Sequence, residues 1–332
     1  CSAVDNGTRF GISSFTISCG THPIPSTSEF ALTAPSTRRN VARLLRALQL
    51  ARKPILLEGS PGVGKTSIVS ALAKAAGHKL VRLNLSEQTD MMDLLGADLP
   101  ASDGEAGEFK WSDGAFLAAL KNGDWVLLDE LNLAPQPVLE GLNAALDHRA
   151  EVFVPELGKT FKCPSTFRVF AAQNPAAQGG GRKGLPKSFL NRFTRVFVEP
   201  MRINDVEHIA KSLHPNVIES VIEKMVHCNA ELAHLSITTD TTGYRFARAG
   251  APWEFNLRDI MRWCELVTSI IPENEMDENS YVRVCASVFN ALYTQRLRTV
   301  NDRIIAKHAF ARAFGLNADE IPTASHMKMR KD

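Results

Sequence analysis

The 332-residue sequence has no Cys-x-x-Cys pair; its six cysteines, at positions 1, 19, 163, 228, 264 and 285, are scattered along the chain. That spacing points to neither a thiolate zinc site nor a disulfide framework, and it suits a reducing compartment. No apolar run approaches the roughly 20 residues that a membrane-crossing helix needs. The N-terminal segment also lacks the apolar block of a secretory signal. Excess charge is missing too. Thirty-eight Lys and Arg against 36 Asp and Glu leave a formal +2, too little for whole-surface attraction to a phosphate backbone. Neither membrane insertion nor sequence-specific nucleic-acid binding is expected, and any basic site must be local.

What is present has ordinary soluble composition: 44% hydrophobic, 22% charged and 7% aromatic, which excludes collagen-like and low-complexity chains. At roughly 150 residues per domain the length predicts about two domains, with roughly three quarters of the unfolded surface available for burial. The chain opens on Cys1 rather than Met, which suggests a segment of something longer.

Residues 1–34 are rich in Ser, Thr, Gly and Pro with little periodicity, and they read as a loose leader without assigned chemistry. From Ser36 to Ala51, the apolar residues Val41, Leu44, Leu45 and Leu48 mark one face of an amphipathic helix. Short apolar runs at 54–58, 79–85, 125–129, 167–173 and 194–198 then alternate with helical patterns, the signature of a parallel sheet covered on both faces. Between them, 151–163 reads as an inserted hairpin. After Pro200 the pattern turns all-helical, with helices expected over 204–213, 216–234, 256–270, 281–298 and 301–314.

The strand Ile55-Leu56-Leu57-Glu58 runs into Gly59-Ser60-Pro61-Gly62-Val63-Gly64-Lys65-Thr66, and Ser67 carries the chain on into a helix. Strand, G-x-x-x-x-G-K-[ST] loop and helix come in the order a phosphate cradle requires. Main-chain N–H groups and the helix N-terminus would hold phosphate oxygens, Lys65 would meet the terminal phosphates, and Thr66 would offer a hydroxyl to Mg²⁺. Downstream, Trp125-Val126-Leu127-Leu128 ends in Asp129-Glu130. Asp129 would complete the magnesium shell and Glu130 would polarise a water. Asn174 ends the next apolar strand, at the end of a parallel sheet where ligands are met. Arg192 and Arg195 lie in and just after a short helix begun at Pro186 and preceded by the run Gly179–Gly184. Either could reach a γ-phosphate or form a surface ion pair. Arg258 opens a later helix and by pattern alone is an ordinary helix arginine. In the segment 90–122, seven acids (Asp90, Asp93, Asp98, Asp103, Glu105, Glu108, Asp113) face only Lys110 and Lys121, as in a solvated acidic loop or a partner-facing lever.

The phosphate loop, Asp129-Glu130, Asn174, Asn191-Arg192-Phe193 and Trp253-Glu254-Phe255-Asn256-Leu257-Arg258 follow one another in an order that resembles an AAA+ ATPase module, over about residues 35–315. Thr89-Asp90-Met91-Met92-Asp93-Leu94-Leu95-Gly96 through Trp111-Ser112-Asp113-Gly114 resembles the helix-2 insert of the MoxR and dynein-related branch, about residues 88–122, and the 151–163 hairpin resembles its pre-sensor insertion. Ser86–Asp90, Leu128–Asn143 and Gln178–Pro186 resemble the very large eukaryotic members that carry several modules in tandem. The resemblance implies an α/β P-loop core with a parallel five-stranded sheet over 35–200, a smaller helical lid over 201–332, and Mg²⁺-dependent ATP hydrolysis in the cleft between them. It makes Glu130 the water activator, Asn174 the first sensor, Arg192 a finger for a neighbouring module in a ring, and Arg258 the lid sensor. It further implies nuclear work, in nucleolus and nucleoplasm, on pre-60S ribosomal particles and their assembly factors. Two rivals stand beside it: a MoxR-type ATPase that assembles into homohexamers, and a scaffold that binds nucleotide without hydrolysing it. A kinase reading fits the acid pair and helical lid less well.

Overall fold

The computed structural model describes residues 9–12, 14–24, 34–50, 52–100, 109–147, 149–174, 184–251, 253–271, 278–317 and 321. The glycine-rich run through 183, and Asp103, Glu105 and Glu108 of the acidic segment, lie outside these. The chain divides into two compact units, Cys1–Pro200 and Met201–Asp332.

In the first unit, strands β3 (Ile55–Glu58), β4 (Leu80–Asn84), β7 (Trp125–Asp129), β10 (Arg168–Gln173) and β11 (Thr194–Phe197) form one sheet in the order β11-β3-β10-β7-β4. Every pairing in it is parallel. Alternate side chains of its central strands feed two different cores, as a period of two demands. Leu56, Val126, Leu128, Val169 and Ala171 enter one; Ile55, Leu57, Trp125, Leu127, Phe170 and Ala172 enter the other. Helices α1 (Pro35–Ala47) and α2 (Lys65–Ala75) cover the second of these, and α3 (Met91–Leu95), α4 (Ala115–Asn122) and α5 (Gln136–Leu146) cover the first. Burial on both faces is why β7 is apolar up to its last residue.

Two antiparallel hairpins decorate this frame. β5 (Gly96–Pro100) pairs with β6 (Phe109–Asp113) between α3 and α4, inside the expected helix-2 insert. β8 (Glu151–Val154) pairs with β9 (Lys159–Lys162), where the inserted hairpin was expected, and buries Val152 and Val154 in the α5 side of the core.

A third hairpin corrects the sequence reading. The segment taken as a loose leader contains β1 (Arg9–Ile12) paired with β2 (Phe15–Ser18). Phe10, Ile12, Phe15 and Ile17 pack against the α1/α2 core, the Arg46 guanidinium lies 5.1 Å from the Phe15 ring centre, and Gly20 N–H donates to the Ala76 carbonyl. Those apolar residues are too few and too short-spaced to stand out among the serines and threonines around them.

The second unit is helical: α7 (Ile203–Leu213), α8 (Glu219–Ile237), α9 (Leu257–Ile270), α10 (Glu278–Phe289) and α11 (Val300–Phe314). Trp263, Phe289, Tyr293, Phe310 and Phe314 stack at its centre with ring centres 4.2–6.1 Å apart. The single helix expected over 281–298 instead ends at Phe289 and continues as a π-turn, Asn290–Thr294. That wider turn accompanies the reach of the buried Tyr293 hydroxyl to Asn229 Oδ1, 2.8 Å away. The described cysteines, at 19, 163, 228, 264 and 285, are free thiols. Burial pushes Cys163 up to about 11 and Cys264 and Cys285 to about 12, as expected of structural rather than reactive thiols.

His78 joins the N-terminal hairpin to the sheet. Its ring stacks on Trp125 at 4.4 Å and its Nε2 contacts the Ser18 carbonyl at 2.9 Å. Burial lowers its pKa below the ordinary histidine value, against the opposing effect of the Ser18 bond. As pH falls through the ordinary histidine range, the unfolded chain takes up a proton before the folded one, so stability is full above that range and declines towards the lower folded pKa. The melting temperature should fall between about pH 7.5 and about pH 5, and His78→Phe, which keeps the stack, should flatten that slope. An identical slope in parent and variant would assign the pH dependence to other groups.

Candidate functional site

Parallel strands deliver their C-terminal ends to one edge of the sheet, and β3, β10 and β7 lie side by side there. β3 leads into the loop Gly59–Gly64. Gly62 and Gly64 hold φ of 74° and 85°, left-handed values that a side chain resists, and Gly64 caps α2. Lys65 follows as the first helical residue. Its ammonium is buried and donates to the Gly59 and Ser60 carbonyls at 2.8 and 3.0 Å and to Asn174 Oδ1 at 2.6 Å. The cation is thus folded back over its own loop and onto the neighbouring strand end. Ser60, Pro61, Val63, Thr66 and Ser67 complete the loop and the first turn of α2, with no acidic residue there to oppose an anion.

β7 brings the acid pair. Asp129 is 8% exposed, and its Oδ2 accepts from the Thr66 hydroxyl at 3.0 Å. Glu130 then turns the chain with φ 55° and ψ 43°, a conformation costing a non-glycine residue about 1–3 kcal/mol. Its N–H donates to Asp129 Oδ1 at 3.1 Å, and its carbonyl accepts from Leu133 in the short helical turn that follows. Glu130 Oε1 accepts from Asn174 Nδ2 at 2.8 Å. Asn174 therefore bridges Lys65 and Glu130. Its amide orientation is fixed by chemistry, because an ammonium only donates and a carboxylate only accepts.

Sequence reasoning missed three groups. Buried Asn132 donates to the Asn174 carbonyl at 3.1 Å, fastening Asn174 to the turn after Glu130. Arg82 on β4 donates from Nε and Nη2 to Asp129 Oδ2, at 3.1 and 2.6 Å. Glu58, the last residue of β3, accepts from Gln173 Nε2 at 2.6 Å with one oxygen and from Arg195 at 2.8 and 3.1 Å with the other, tying three adjacent strands together. Only alternation within β4 hinted at Arg82. Its partner became visible with the strand order, since β4 and β7 are neighbours separated in sequence by two helices and a hairpin.

The remaining arginines sort differently. Arg195 forms the surface ion pair with Glu58, the plainer of its two readings. Arg192 follows α6 (Lys187–Leu190), is half-buried, and donates to the Ser188 carbonyl at 2.7 Å. Phe189 and Phe193 flank it as buried anchors with ring centres 5.4 Å apart. In the other unit, Arg258 is exposed in the first turn of α9, where its N–H meets the Asn256 cap. A cation there is disfavoured by the helix dipole, by about 0.3–1 kcal/mol at an exposed site, so helix stability does not account for it.

Thr66 and Asp129 provide hydroxyl and carboxylate oxygens within one hydrogen bond of each other, a donor set suited to a hard cation. Magnesium characteristically takes only one or two protein ligands and fills the rest with phosphate oxygens and water. The arrangement therefore fits Mg²⁺, although no cluster of three His, Cys, Asp or Glu exists among the described residues.

The first unit matches the family model of the AAA domain of the dynein-related subfamily over residues 54–193. The helical unit matches a second model, the midasin AAA lid domain, over residues 205–317. Midasin from Dictyostelium discoideum is 51% identical over 312 residues, 94% of this chain, and midasin from Giardia intestinalis is 42% identical over 299 residues, 90% of it. The chain belongs to the midasin family of AAA+ proteins. It spans 5% and 6% of the length of those two relatives. An uncharacterized protein of Staphylococcus aureus (strain NCTC 8325 / PS 47) is 28% identical over 192 residues, covering 58% of this chain and 72% of that one.

A Cβ at Gly59 would stand 2.7 Å from the Val198 carbonyl. Gly59→Ala should therefore destabilise the first unit by about 1–3 kcal/mol, lowering its melting temperature by about 2–4 °C per kcal/mol. An unchanged melting curve would mean that the two segments separate at no cost.

Proposed function

We propose that this chain binds ATP with Mg²⁺ at the loop Gly59–Ser67 and hydrolyses it as one AAA+ module among several. The observation that carries the reading is the line Lys65–Asn174–Glu130, which joins the phosphate-binding cation to the base through one amide. Lys65 would leave the Gly59 and Ser60 carbonyls for the terminal phosphates, and Asn174 would respond to that move at its oxygen while holding Glu130 at its nitrogen. Glu130 would take the proton of the attacking water, and the Asn174 bond would orient its carboxylate for the task. Magnesium, held by Thr66 and Asp129 when bound, would neutralise charge on the phosphates.

The finer roles rest on family membership. Arg192 would serve the nucleotide of a neighbouring module, and Arg258 would sense nucleotide from the lid. The parent protein would be a midasin-like mechanoenzyme acting in the nucleus on pre-60S particles and their assembly factors, during large-subunit maturation and export. The complete set Glu130, Asn174 and Arg192 favours hydrolysis over a silent scaffold.

The isolated chain should bind ATP yet turn over slowly, because no neighbour supplies an arginine; rapid turnover by a monomer in the ultracentrifuge would contradict this. Glu130→Gln should keep nucleotide affinity while losing about 10²–10⁴ of the residual rate, whereas Lys65→Ala should lose binding itself. Calorimetry and a phosphate-release assay separate the two effects, and parent-like behaviour of either variant would remove its assigned role.

A further inference from the structure

Asp129 Oδ2 is saturated by donors: the Thr66 hydroxyl and both Nε and Nη2 of Arg82. Its Oδ1 is taken by the Glu130 N–H. A divalent cation seeking Oδ2 finds that oxygen fully engaged, and the partners of the carboxylate differ in how readily they yield. The Asp129 side chain is 11% exposed, and the main-chain turn at Glu130 grips it. The Arg82 side chain is 58% exposed and stands on β4, the edge strand, with solvent beside it. An immobile anion is thus covered by a displaceable cation.

We propose that Arg82 is a built-in counter-ion for the metal carboxylate, which yields Asp129 Oδ2 when Mg²⁺ arrives with nucleotide and returns when the metal leaves. The inference rests on the assignment of Asp129 as a magnesium ligand. Arg82 acts through Asp129 and is a positioning residue. Its charge does two opposite things. Without metal, it screens Asp129 from incoming phosphates and so favours nucleotide binding. With metal, it competes for the same oxygen and so raises the magnesium concentration needed. A residue that merely braced the sheet would change both conditions in the same direction.

The test is ADP binding by calorimetry to the whole chain, in EDTA and across a magnesium titration, for the parent, Arg82→Gln, Arg82→Lys and Asp129→Asn. Arg82→Gln should weaken ADP binding in EDTA by about two- to five-fold and lower the half-saturating magnesium concentration by a similar factor, as expected for a partly exposed ion pair. Arg82→Lys should fall between, keeping the charge but losing the two-pronged contact. It also serves if the glutamine variant fails to fold. An unchanged magnesium midpoint, or equal weakening in both conditions, would overturn the counter-ion role. If magnesium fails to tighten ADP binding in the parent and Asp129→Asn alters nothing, the ligand assignment itself has failed and the counter-ion role falls with it.

Discussion

β10 must lie between β3 and β7, parallel to both, for the site to exist. β3 carries the loop Gly59–Gly64 and β7 the acid pair, yet they are not neighbours; Asn174 at the tip of β10 spans the gap. Parallel direction matters as much as adjacency, because only then do the loop, the acids and the amide emerge at one edge. The cost is local. Lys65 is a cation held in a nearly buried position by two carbonyls and an amide, and Glu130 sits in a left-handed turn. β7, buried along its whole length, provides the stiffness that makes such a turn persist.

Much of this was legible in advance. The five strands of the sheet were visible as short apolar runs, and the β8/β9 hairpin as alternation with a turn, because each obeys a local rule of spacing. That the loop Gly59–Thr66 and the pair Asp129-Glu130 stand at strand ends was legible for a different reason: each is a run of particular residue types at the end of an apolar strand. Contacts between distant strands were not legible. Arg82 and Asn132 hold site residues that lie 47 and 42 positions away, and no periodicity reports such a pairing. The N-terminal hairpin was hidden because its four core-facing residues are diluted by polar neighbours and are only partly buried against the core beneath α1 and α2. The π-turn after Phe289 was hidden because an extra residue in a turn leaves an apolar pattern that still looks helical.

The two units use different means of cohesion. The first relies on aliphatic strands and a shared edge of hydrogen-bonded polar groups. The second relies on stacked aromatic rings around Trp263, with Arg296 lying 4.7 Å from Phe255 and 4.9 Å from Tyr293 while paired to Asp259. Asp302 is another buried anchor, accepting from the Tyr244 hydroxyl and the Ala247 N–H at 2.7 Å each and thereby fixing the loop that leads towards α9.

Glu58 grips Gln173 with one oxygen and Arg195 with the other. The strand feeding the loop Gly59–Gly64 is therefore clamped to the strand that leads to Asn174 and to the strand that emerges from the Arg192 turn. A displacement of that loop would then be resisted from both flanks at once, with three interlocked side chains acting as a yoke across the sheet.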